Sequence, residues 1–131
     1  MGILSVIVAA VAAFMFGAIW YGIWAKPWMQ DTGIAVDADG KPANRSDPKP
    51  YIISFVSVVI VAGMMRHTFA LSGIDSFGGG VVAGFGIGAF LATPWIATNY
   101  GFTGKPMRLT LIDGGYATFG CLIIGAVLTL F

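Results

Sequence analysis

The sequence predicts an all-α polytopic membrane protein, with four transmembrane helices in one compact bundle. Three observations carry that prediction. The 131 residues are 57% hydrophobic and 10% charged, against about 45–50% and roughly 25% in soluble domains, so the chain cannot cover a surface facing water. A spanning helix needs about 20 apolar residues, and this length holds four of them plus one real loop. The stretch from Gly17 to Met29, GAIWYGIWAKPWM, ends an apolar run in aromatics, a first lysine and a proline, as a membrane helix does at the headgroup layer.

The first helix is expected over residues 3–25, with no ionisable side chain along it. It lacks a basic leader, and its apolar run is longer than a secretory h-region, so it reads as a retained span. Ala9, Ala13 and Gly17 recur every fourth position, which puts them on one face and lets a neighbouring backbone approach. Trp20, Tyr21, Trp24 and Trp28 then mark the interface. Residues 26–50 collect four of the seven basic residues, four of the six aspartates and four of the six prolines, the composition of a solvated loop that does not fold alone. Within it, Asp37-Ala38-Asp39-Gly40 is read as a turn rather than a calcium loop, because the chain has no glutamate to close such a site.

The second helix is expected over 51–71, with Arg66 and His67 near its end. A cationic side chain there can snorkel to the headgroups. The third is expected over 81–98, where Gly80, Gly84, Gly88 and Ala92 form a small residue every fourth position, a groove for close helix contact in lipid. Pro94 removes an amide near its end, so a kink is expected, with Thr93 relieving the freed carbonyl. Trp95, Asn99 and Tyr100 follow at the next interface. The fourth helix is expected over 109–131, with Ala117, Cys121 and Gly125 repeating the small spacing.

Four spans place residues 26–50 and 101–108 on one side, together with six of the seven basic residues and all four tryptophans. The positive-inside rule assigns that side to the cytoplasm and both termini to the opposite side. Asp113 lies about one turn inside the last helix, favoured by the N-terminal dipole and within reach of Lys26, Lys105 or Arg108. It is the residue to test.

Composition also narrows function. A net charge of +1 offers no basic face to neutralise phosphates, so no nucleic-acid partner is expected. One histidine, one cysteine and no glutamate assemble no nucleophile–base pair, paired carboxylates or metal cluster, so neither an enzyme nor a cofactor or metal site is expected. The leading expectation is an accessory membrane subunit packed against lipid, its own copies or a larger complex, since there are more small-residue faces than one bundle needs. The alternative is a minimal oligomeric transporter or channel, with Asp113, Asn99 and Tyr116 facing a cytoplasmic vestibule. A third reading, a haem or pigment on His67, lacks a second histidine.

Trp20-Tyr21-Gly22 followed by Lys26 and Trp28, with Leu111-Ile112-Asp113-Gly114-Gly115-Tyr116 opening the last helix, resembles the four-helix membrane family called domain of unknown function 1761 (DUF1761). The resemblance implies a bacterial inner-membrane protein and brings no activity with it.

Overall fold

A computed structural model describes residues 2–131. Five helices follow one another: α1 (Ile3–Ile23), α2 (Ala25–Thr32), α3 (Lys49–Ser72), α4 (Phe77–Thr103) and α5 (Met107–Leu128). All except α2 are long and apolar enough to cross a membrane, so the protein is an all-α, four-span membrane protein. Backbone groups in hydrocarbon must be satisfied within their own segment, which is why helices carry the spans.

Helix α5 is the centre of the bundle. It packs along α4 on one side and α1 on the other, while α3 leans mainly on α1 and only lightly on α5. The core where α1, α3 and α5 meet contains Ala9, Ala10 and Ala13 of α1, Ala62, Met65 and Phe69 of α3, and Cys121, Ile124 and Leu128 of α5.

The α4–α5 contact is backbone against backbone. A Cβ at Gly80 would overlap the Gly125 carbonyl, one at Gly84 the Cys121 carbonyl, and one at Gly88 the Thr118 backbone and the Ala117 carbonyl. The two rows of small residues are therefore spent on each other. In lipid no hydrophobic drive separates helix from solvent, so this close approach, with its dispersion contacts, does the holding. Gly17 of α1 has a related use, since a Cβ there would lie 2.8 Å from the Tyr116 ring.

Helix α4 differs from the expected 81–98. Ser76 accepts a hydrogen bond from the Gly79 amide at 3.0 Å, an N-cap that starts the helix at Phe77 and draws the glycines into its first turn. Ahead of Pro94 the helix widens into a π turn over Gly88–Ala92. The proline ring cannot accept the regular bonding register, and one turn of i→i−5 bonds takes up the mismatch. The Thr93 hydroxyl does not relieve the Phe90 carbonyl. It donates to the Gly88 carbonyl at 2.7 Å, and lies 3.2 Å from the Gly114 carbonyl and 3.4 Å from the Thr118 hydroxyl of α5, joining the two helices where the π turn opens. The helix then runs on to Thr103 and stops at Gly104, which has φ +74°.

The segment expected as an unfolded loop is built. The chain turns at Trp24 and continues as α2, with Pro27 in its first turn, where a missing amide costs no helical bond. After Gly33, Val36 and Pro42 form an isolated antiparallel bridge. The Asp37 carboxylate accepts from the Asp39 and Lys41 amides at 2.9 and 3.1 Å, and meets Arg45 at 3.0 Å. Those amides and the nearby cations hold its carboxyl below the usual range, and the amide of Lys41 acts most strongly. Gly40, at φ +74°, closes the Asp-Gly turn. Local satisfaction of backbone groups by Asp37 is what composition could not show.

At the same end, Arg108 grips Asp31 of α2 through two bonds of 2.7 and 2.6 Å, and the Lys105 ammonium donates to the Thr32 carbonyl at 3.1 Å. The guanidinium holds the Asp31 carboxyl below its ordinary range. Both connections thus lie at one end of the bundle, called here the loop end.

The glycine contact makes a sharp prediction. Gly84→Leu should lower the melting temperature and folded yield of detergent-purified protein by an amount reflecting overpacking, at least about 1–3 kcal/mol, whereas Gly86→Leu, with open space around it, should leave both near wild type. Equal tolerance at the two positions would show that the α4–α5 contact is not close.

Candidate functional site

The polar residues of the bundle converge near the loop end of α5. Asp113 lies five residues after Arg108, so the two project about 140° apart on a helix turning 100° per residue. Arg108 faces α2, and Asp113 faces inward. The expected reach of Asp113 toward Lys26, Lys105 or Arg108 is not what forms. Among the described residues no cation stands within ion-pair distance of this carboxylate. Instead, the Tyr21 hydroxyl of α1 donates to Oδ1 at 2.5 Å, and the Tyr100 hydroxyl of α4 donates to Oδ2. Both oxygens of the side chain are thus engaged. Three helices are thereby tied together through one side chain.

Glycines make room for this arrangement. Gly114 lies under Thr93, and Gly115 lies under the six-membered ring of Trp20, whose indole N–H donates to the Ile112 carbonyl at 2.8 Å. Trp20, Tyr21 and Tyr100, expected as anchors in the headgroup layer, are half-buried and turned into the bundle, because each polar tip finds its partner on α5. Tyr116 is half-buried, stands edge-on to Tyr21 with centroids 5.4 Å apart, and places its hydroxyl 3.4 Å from the Ala13 carbonyl. Trp28 packs edge-on against the other side of Tyr21 at 6.0 Å. Trp24 and Trp95 are exposed.

Because α3 stands apart from α4, a cleft of about 650 Å³ lies between them, floored by α5. Its walls are Val58, Met65, Ile87 and Ile124 among other apolar groups, and its rim residues Val61, Met64, Leu91 and Trp95 are exposed, so it opens sideways. Asp113, Tyr21 and Tyr116 line it too. One carboxylate thus stands in an otherwise almost wholly apolar space.

Of the other candidates, Ala92 and Ala117 are half-buried at the cleft, and Cys121 is buried beside it. Asn99, expected in a shared vestibule with Asp113 and Tyr116, is exposed and does not line the cleft. Arg66 is half-buried at the far end of the bundle, in a separate cavity of about 250 Å³ with Phe69, Asp75 and Phe131. His67 is exposed on α3. Two residues were not anticipated. Thr93 acts between helices as well as within its own, and Asp31 is the partner of Arg108; only the Gly114-Gly115 pair beside Asp113 signalled that something approaches α5 closely here.

Removing one donor tests whether the tyrosines hold the carboxylate. Tyr100→Phe and Tyr21→Phe should each destabilise the folded protein by about 1.5–3 kcal/mol, the range for hydrogen bonds to a charged group. Each effect should largely vanish in an Asp113→Asn background, as read from thermal unfolding in a double-mutant cycle. Additive losses would mean the tyrosines act elsewhere.

No curated protein and no solved structure matches the chain. The model of a family described as a protein of unknown function, DUF1761, matches residues 4–129. That match covers nearly the whole sequence, and the chain belongs to this family.

Proposed function

We propose that this protein binds a lipophilic cation in the lateral cleft, as a small non-catalytic protein of the bacterial inner membrane. The observation that carries the reading is the Asp113 carboxylate, held by two tyrosine hydroxyls in an apolar space, with no cation at ion-pair distance among the described residues. A charge taken out of water costs several kcal/mol unless it is compensated. Tyrosine hydroxyls supply hydrogen bonds but no positive charge. A ligand cation about 4 Å away would add roughly 4 kcal/mol of attraction at an effective dielectric of 20. Tyr21 and Tyr116 also line the cleft, and the face of an aromatic ring favours the same charge through its quadrupole. An apolar body would fill the remainder, and the cleft volume falls within the roughly 300–1,000 Å³ of small-molecule sites. Entry from the bilayer through the side needs no aqueous channel.

Tetraphenylphosphonium is a suitable probe. Calorimetry on protein in lipid nanodiscs should show saturable binding that weakens at least tenfold in Asp113→Asn. Unchanged affinity in that variant would overturn the reading.

The same open cleft favours a second reading, that a helix of a larger complex lies in it and the protein is an accessory subunit. The original argument for a subunit, a surplus of small-residue faces, is weaker now, because those rows pack against each other or against Tyr116 within one chain. Native mass spectrometry of protein extracted gently from its own membrane distinguishes the two. A fixed-stoichiometry complex with another membrane protein, together with no cation binding, favours the subunit.

The orientation follows from charge. Lys26, Lys41, Arg45, Lys49, Lys105 and Arg108 all belong to the loop end, which assigns that end to the cytoplasm and both termini to the periplasm. Alkaline phosphatase fused after Phe131 should be active in a bacterial host. An inactive phosphatase, paired with a fluorescent C-terminal green fluorescent protein, would reverse the orientation.

A further inference from the structure

A second cavity, of about 420 Å³, lies under the folded segment at the loop end. Tyr21 is the one residue that lines both this chamber and the lateral cleft. The chamber is walled from three directions by aromatic rings: Tyr21 of α1, Trp28 of α2 and Tyr51 at the start of α3. Pro42 and Pro50 add ring faces, and the Tyr51 hydroxyl, 3.5 Å from the Arg45 carbonyl, joins the lid to α3. The one ionisable side chain in its lining besides the tyrosines is Arg45. That charge is matched, since Arg45 meets Asp37 at 3.0 Å and Asp39 at 3.8 Å. The space persists because the lid is braced by its own bonds, the Asp37 carboxylate holding two amides and Val36 bridging Pro42. A braced lid does not collapse onto the rings below.

We infer that this chamber is a second binding station for the same class of ligand, an organic cation with an apolar body, placed next to the Asp113 station across the Tyr21 ring. Three aromatic rings in one lining can recognise a quaternary or phosphonium cation, which is drawn to the negative face of such a ring. The chamber has no carboxylate in its lining, so it is the weaker station of the two. Tyr21 is a wall of both. The choice of ligand class rests on the reading of the cleft, whereas the existence of the chamber does not.

The test is calorimetric titration of tetraphenylphosphonium into the full chain in lipid nanodiscs, with empty nanodiscs subtracted. Wild type should bind two equivalents of unequal affinity. Asp113→Asn should retain only the weaker equivalent, and the double variant Trp28→Leu/Tyr51→Leu should retain only the tighter one. Tyr51→Leu alone, at an exposed position on α3, should weaken the second equivalent several-fold and provides a variant less disruptive than loss of Trp28. A single equivalent that Asp113→Asn abolishes and Tyr51→Leu leaves intact would overturn the second station while leaving the cleft reading in place. Binding that survives Asp113→Asn in full but is lost on replacing Trp28 and Tyr51 would keep the chamber and overturn the cleft.

Discussion

The close approach of α4 to α5 is the contact on which the rest of this structure depends. Gly80, Gly84 and Gly88 lie against Gly125, Cys121 and the Ala117–Thr118 backbone with no room for a Cβ. Lipid tails compete with any large apolar side chain on equal terms, so a helix pair is held in a membrane by surfaces that fit more closely than lipid fits either of them. With α4 fixed on one side of α5 and α1 on the other, the inward face of α5 is enclosed where its polar residues stand. Asp113 then has Tyr21 and Tyr100 as neighbours, whichever way the exposed ends of the chain are arranged.

The polar groups around Asp113 find partners on other helices. The Trp20 indole bonds to α5, Thr93 spans α4 and α5, and Asp113 receives a hydroxyl from each flanking helix. A buried polar group costs little once it is hydrogen-bonded and much when it is not. These bonds also fix rotation about the helix axes, which a stripe of small residues alone leaves loose. The wide turn ahead of Pro94 belongs to the same scheme, because it places Thr93 against Gly114 and Thr118.

Helix α3 breaks the symmetry. It shares the alanine-lined core with α1 and makes little contact with α4, so one side of α5 has no protein cover. The resulting cleft brings a carboxylate, two tyrosines and a lipid-facing opening into one space. At the loop end the Arg108–Asp31 pair and the Asp37-braced segment hold a second, half-open space. Exposed ion pairs contribute modestly to stability, and here their role is positional, since they keep α2 and the lid over the end of the bundle.

The four spans, their small-residue faces and the clustering of charge at one end were determined by sequence, because each depends on local composition and on a period of 3.6 residues that any helix imposes. The Gly80, Gly84 and Gly88 row was legible as a packing face, and so was the Asp-Gly turn. Partners were not legible. Whether Trp20, Tyr21 and Tyr100 turn toward headgroups or toward α5 depends on which helix stands beside them, and aromatic residues near a span end suit either position. That Asp31 rather than Asp113 takes Arg108, that Asp37 folds a stretch rich in proline and charge, and that α3 leaves a cleft are consequences of helix placement. Tertiary structure alone decided these, because each depends on the distance between residues far apart in the chain, which no local pattern encodes.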